Sequence, residues 1–168
     1  MIAMKNVLVA TDFGPVSETA LAYGRALART FGGKLHVLHV VEDLTLRFAY
    51  TDNAIGGLPP ETLQAEIVRE AKNRLEAFVS ESDRRELNAV PVLKVGNHTA
   101  KAIAEYAKEA AIDLVIVGTT GRGVIDRALM GSVADKVIRR APCPVLAVHH
   151  PEREFVIPDA LEVVNSKA

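Results

Sequence analysis

What most limits the fold of this chain is an alternation: short apolar runs of strand length take turns with longer segments of helical period. NVLVAT (6–11) is a continuous apolar run, the pattern of a strand buried on both faces. After the loop DFGPV, Leu21, Gly24, Ala28 and Phe31 recur at helical steps, with Ser17 as N-cap and Gly32-Gly33 as the stop. KLHVLHVV (34–41) reads as the second strand, and residues 43–58, without a clean period, as a long loop. PPETLQAEIVREAKNRLEAFVSES then reads as one helix, opened by Pro59-Pro60 and striped by Leu63, Ile67, Ala71 and Leu75. AVPVLKV (89–95) is the third strand, and Asn97 or Thr99 caps the helix after it. DLVIVG (113–118), a short helix from about Ser132, and PVLAV (144–148) complete the pattern. Such β-α alternation predicts an α/β fold: an open parallel five-stranded sheet with helices on both faces, because right-handed crossovers are nearly obligatory.

The 168 residues suit one domain, over 1–149, with 150–168 as a C-terminal extension. Lys and Arg (20) nearly cancel Asp and Glu (21), and no basic face stands out, which argues against a nucleic-acid partner. DRRE (83–86) reads as a solvated helix end. No apolar run approaches the ~20 residues of a spanning helix, and MIAMKNVLVATD does not have the pattern of a signal peptide. The single cysteine, Cys143, sits between prolines as a packed small hydrophobe, in keeping with a reducing compartment. A cytoplasmic protein is the expectation.

The stretch GTTGRGVIDRALMGSV (118–133) holds glycines in the pattern G-x2-G-x9-G-S, directly after the fourth strand. In open parallel sheets ligands bind at the carboxyl ends of strands, where strand order reverses. A helix N-terminus there offers unpaired N–H groups and about half a positive charge, a seat for an anion. Gly118, Gly121 and Gly131 would let the main chain approach a phosphate, and the Ser132 hydroxyl could donate to it, although Ser132 also reads as an ordinary N-cap. Arg122 could reach the phosphates. Asp12 ends the first strand, where a carboxylate can accept from ribose hydroxyls or from an adenine amino group, or cap the first loop. There is no G-x4-G-K-[ST], and Gly121-Arg122-Gly123 meets Asp126 where a dinucleotide fingerprint needs its third glycine. His36 and His39 point to opposite faces of their strand and share no metal; His149-His150 read as exposed, and His98 opens a helix near a strand end. No nucleophile–histidine–acid set or metal-ligand spacing appears.

From Lys5 to about His149 the chain resembles the universal stress protein family, in its ATP-binding branch. NVLVATDF with SETAL, LHVLHVVE, AIAEYAKEAAIDLVIVGTTGRG and MGSVADKVIRRAPCPVLAV carry the resemblance. It implies strand order 3-2-1-4-5, a homodimer through the last strand, Pro144–Val148, and an adenine nucleotide (ATP, or ADP or AMP) across the ends of strands 1 and 4. By position, Asp12 would contact the adenosine moiety, with the backbone of Ala10 and Thr11 close by, and Val40 would meet adenine through its main chain. Gly118 would lie by the ribose, and Gly121, Gly131, Ser132 and Val133 would hold the phosphates, with Mg2+ or Mn2+ bound through them. Gly14-Pro15 and Thr120 depart from the family's frequent serine and histidine. The function implied is a nucleotide-dependent switch in the stress response; slow ATP hydrolysis, for which no general base is evident, and a nucleotide-independent interaction module are the alternatives.

Overall fold

The computed structural model describes residues 2–45, 59–119 and 131–149; residues 46–58 of the 43–58 loop, 120–130 of the glycine-rich stretch and the 150–168 extension lie outside these. Five strands form one parallel sheet: β1 (Asn6–Ala10), β2 (Lys34–Val41), β3 (Val90–Val95), β4 (Leu114–Gly118) and β5 (Val145–Val148). Their order is β3-β2-β1-β4-β5, as expected. β1 lies at the centre, with Leu8 opposite His36 on β2 and Val115 on β4. Val7, Leu8 and Val9 have no solvent exposure, which explains the unbroken apolar run: both faces of a parallel strand are covered.

Five helices cover the sheet among the described residues: α1 (Pro15–Phe31), α2 (Pro60–Phe78), α3 (Glu81–Leu87), α4 (Thr99–Glu109) and α5 (Ser132–Arg140). α1, α2 and α3 lie on one face, over Val7, Val9, Leu35 and Val37. α4 and α5 lie on the other, over Leu8, Leu38, Val115 and Val117. The two sets alternate along each strand, as the period of two requires. Gly24 lets α1 approach closely, since a Cβ there would stand 2.4 Å from Val9 Cγ2. Gly32 ends α1 in the left-handed conformation, φ 63°, the stop the sequence signals.

Three boundaries differ from the sequence reading. α1 starts at Pro15 with Gly14 as N-cap, so Ser17 lies inside the first turn and its hydroxyl turns to Asp12 instead. The long second helix is two: it stops at Phe78, and Ser80 and Asp83 form a capping box that opens α3. Asp83 is therefore not a solvated helix end; it is 3% exposed and paired with Arg25 through two contacts of 2.7 Å. At α4 neither Asn97 nor Thr99 caps; His98 holds the N-cap position without a side-chain bond, and Asn97 Oδ1 accepts from the Asp43 amide. Cys143 packs half-buried beside the α4/α5 core, and burial, with Asp113 nearby, pushes its thiol pKa up, away from reactivity.

Candidate functional site

β1 is flanked by β2 on one side and β4 on the other, so the chain leaves its carboxyl end and that of β4 in opposite directions. A crevice opens at such a point. Here it is a cavity of about 260 Å³. Ala10, Leu38, Val40 and Val117 at the strand ends, with Ile103 of α4 and Ala134 of α5, supply its apolar wall. Thr11, Asp12, Ser17, Thr99, Gly118, Gly131, Ser132 and Val133 complete the lining. All the residues singled out from sequence that lie in the described portion thus meet at one cavity, Ala10, Thr11, Asp12, Val40, Gly118, Gly131, Ser132 and Val133. Gly121 and Arg122 lie outside the described residues.

Asp12 is the only charged group among the described lining residues. Its Oδ1 accepts from the Ser17 hydroxyl at 2.6 Å and from the Gly14 amide at 2.9 Å, while the Asp12 amide donates to Ser17 Oγ at 3.1 Å. Asp12 therefore shapes the first loop, as the capping reading expects, and it also lines the cavity. The Thr11 amide extends the sheet ladder by donating to the Leu38 carbonyl at 2.9 Å, which fixes where the loop departs.

The opposite wall is the start of α5. Gly131 is the N-cap, with extended backbone, and makes no side-chain cap. Its own amide donates to the Thr119 carbonyl, so it is already committed. The first intrahelical bond comes from the Asp135 amide to the Gly131 carbonyl, which leaves the amides of Ser132, Val133 and Ala134 ahead of the ladder. Ser132 is the first helical residue, not the cap, and its side chain is exposed at the cavity. Its competing structural role falls away. Gly118 has a structural reason of its own: a Cβ there would stand 3.0 Å from Val16 Cγ1 on α1.

The sequence reading missed Ser17, Leu38, Thr99, Ile103, Val117 and Ala134 as lining. Thr99 and Ile103, one turn apart, could have been found as the face of α4 nearest the strand ends; Ser17 read as an N-cap, and Leu38, Val117 and Ala134 carry no signal beyond apolar core. A second hollow, about 290 Å³, shares Thr99 and Val133 with the first and is bordered by His98, Lys101, Lys136 and Arg140. The two hollows differ in charge, one carrying a carboxylate and the other cations. Among the described residues no group of His, Cys, Asp and Glu side chains could hold a metal ion, and no helix is long and apolar enough to cross a membrane.

Comparison with known proteins matches residues 4–149 to the universal stress protein family. A universal stress protein of Methanocaldococcus jannaschii is 30% identical over 153 residues, 89% of this chain and 85% of that one. The solved structure of another protein of that archaeon superposes with a TM-score of 0.71 at 24% identity, covering 90% of this chain and 100% of that one. A universal stress protein from Archaeoglobus fulgidus, solved in complex with dAMP, is 26% identical, with a TM-score of 0.55 and coverage of 88% and 99%. One solved in complex with cAMP is 26% identical, with a TM-score of 0.54 and coverage of 88% and 98%.

Proposed function

The chain belongs to the universal stress protein family, and we propose that it binds an adenine nucleotide, ATP in its full form, in the cavity between Asp12 and the start of α5. The observation that carries this reading is the pairing of opposite walls: a fixed carboxylate at one end and, at the other, helix amides that lie ahead of the α5 ladder. The apolar surface of Leu38, Val40 and Ile103 suits a purine ring. Asp12 takes a hydroxyl of the ribose, Gly118 lies beside it, and the amides and hydroxyl at Ser132 and Val133 hold the phosphates. Gly121 and Arg122, outside the described residues, are assigned to the phosphates from the sequence pattern. The related proteins solved with dAMP and cAMP support the adenosine end of this assignment.

The described wall offers one carboxylate, and Ser17 and Gly14 occupy its Oδ1. That wall suits a Mg2+ or Mn2+ ion carried on phosphate oxygens better than one ligated by the protein. Occupancy would act as a signal, with the cytoplasmic protein a nucleotide-dependent regulator. Among the described residues β5, four residues long, is the last strand of the sheet, and pairing with a second copy across a two-fold axis would cover its outer edge. Residues 1–149 would form the dimerising domain and 150–168 its extension.

Calorimetry on protein stripped of bound nucleotide tests the binding. ATP, ADP and AMP are expected to bind, ATP most tightly; no heat at millimolar ATP would overturn the reading. A monomeric mass at micromolar concentration would remove the dimer.

A further inference from the structure

Among the described residues that are not glycine, Phe13, Asn88 and Ala111 have positive φ, and Phe13 (φ 62°) adjoins the cavity's carboxylate. A bulky L-residue in that region is strained by roughly 1–2 kcal/mol. Such strain persists only where the surroundings over-determine it, and it gathers at ligand clamps. The surroundings of Phe13 meet that description. Its ring lies 4.4 Å from the His39 ring and edge-on to Phe78 at 5.5 Å, and the Arg74 guanidinium stands 4.7 Å from its centre. All of this is on the α1/α2 face of the sheet. Those lining residues of the cavity that belong to a core cluster belong to the α4/α5 face.

The left-handed turn at Phe13 has direct consequences for Asp12. The Phe13 amide turns back to donate to Thr11 Oγ1 at 2.9 Å, and the next amide, of Gly14, donates to Asp12 Oδ1 at 2.9 Å. From β2, His39 Nδ1 lies 2.7 Å from the Thr11 carbonyl; a carbonyl only accepts, so Nδ1 carries the hydrogen. One aromatic cluster therefore holds the main chain on both sides of Asp12. With φ relaxed to the usual sign at residue 13, the Gly14 amide swings away and Oδ1 loses that donor.

We infer that Phe13 is a positioning residue for the nucleotide: its ring, seated against His39, Phe78 and Arg74, holds the strained turn that aims the Asp12 carboxylate at the ribose. The inference rests on the adenine-nucleotide reading above. It assigns to a residue on the far face of the sheet a part in recognising the sugar.

The test compares affinities for ATP and for 2′,3′-dideoxy-ATP, which lacks both ribose hydroxyls, by calorimetry on stripped protein. Wild type is expected to favour ATP by about tenfold, the range for a hydrogen bond to a charged group. Phe13→Ala removes the ring and leaves the strain of φ 62° unopposed, so it is expected to lose most of the ATP preference while binding the dideoxy analogue as wild type does. Phe13→Gly, for which φ 62° carries no strain, is expected to keep more of the preference than Phe13→Ala. Phe13→Tyr is expected to retain it. In combination with Asp12→Asn the Phe13 effect should vanish, because the two act through one contact. Weakening of both ligands alike, or additive effects with Asp12→Asn, would overturn the positioning role and leave nucleotide binding standing. A wild type that binds neither ligand would overturn both.

Discussion

On one face of the sheet α1, α2 and α3 close over Val7, Val9, Leu35 and Val37 and are tied by the Arg25–Asp83 fork. On the other, α4 and α5 cover Leu8, Leu38, Val115 and Val117 but begin at the strand ends with backbone amides ahead of their ladders, and the cavity opens there. The first face spends a buried charge pair on its own rigidity. The second leaves the polar groups at its strand ends lining an open cavity. The division teaches where mutations should be felt: in stability on the first face, in affinity on the second.

The sharpest challenge to that division is Asp83→Ala. It leaves Arg25 without its partner and removes the α3 capping box, so a loss of about 3 kcal/mol is expected in urea denaturation. ATP affinity should not move; if it does, the faces are coupled and the comparison breaks. Gly24→Ala pushes a Cβ against Val9 Cγ2, and overpacking of this kind destabilises by about 2 kcal/mol. Again the melting temperature should fall while titration with ATP is unchanged. Ser132→Ala is the mirror image. The exposed first residue of α5 carries no cap, so stability should stay within about 0.5 kcal/mol, while ATP binding weakens by about 1 kcal/mol, some fivefold.

The smallest effect is a slope with pH. His36, 6% exposed, bonds Tyr106 of α4 through Nδ1 at 2.8 Å, and its Nε2 has no partner among the described residues. Burial, then the Lys34 charge, holds its pKa below the ordinary 6.5. As pH falls, the unfolded chain takes up the proton first, so stability is whole above about 6.5 and declines through the folded value. The slope should not exceed about 1.4 kcal/mol per pH unit from this group, and His36→Leu should flatten that part of it. Urea midpoints across pH 5 to 8 provide the check.

The strands were readable because a parallel strand covered on both faces must be apolar without interruption, as NVLVA and LVIVG are. The break between α2 and α3 was harder to read. Ser80 and Asp83 stand at capping-box spacing, but the apolar stripe runs on past Phe78, and a partner 58 residues away, Arg25, gives Asp83 its burial. The N-terminus of α1 shows the same limit: Ser17 looks like a cap until Asp12 claims its hydroxyl and Pro15 begins the helix. At the site, Asp12, Gly118 and Ser132 follow from position alone, since strand ends and a helix start are where a parallel sheet opens. Thr99 and Ile103 need one step more, the one-turn spacing that puts both on the face of α4 nearest the strand ends. The turn at Phe13 does not follow, since no local pattern announces its left-handed backbone.

The Asp113 carboxylate accepts from the amides of Lys5 and Asn6, at 2.7 and 2.9 Å, across 108 and 107 residues of chain. That contact marks the edge of β1 on which β4 docks. On a translating ribosome, adding 5–20 residues per second, Asp12 precedes Ser132 by on the order of ten seconds. Until β4 is made the central strand of the sheet lacks a neighbour on that edge, and until α5 is made one wall of the cavity is missing. A chain that ends before α5 cannot close the cavity, so whatever occupies it can stabilise only a molecule in which α5 has docked.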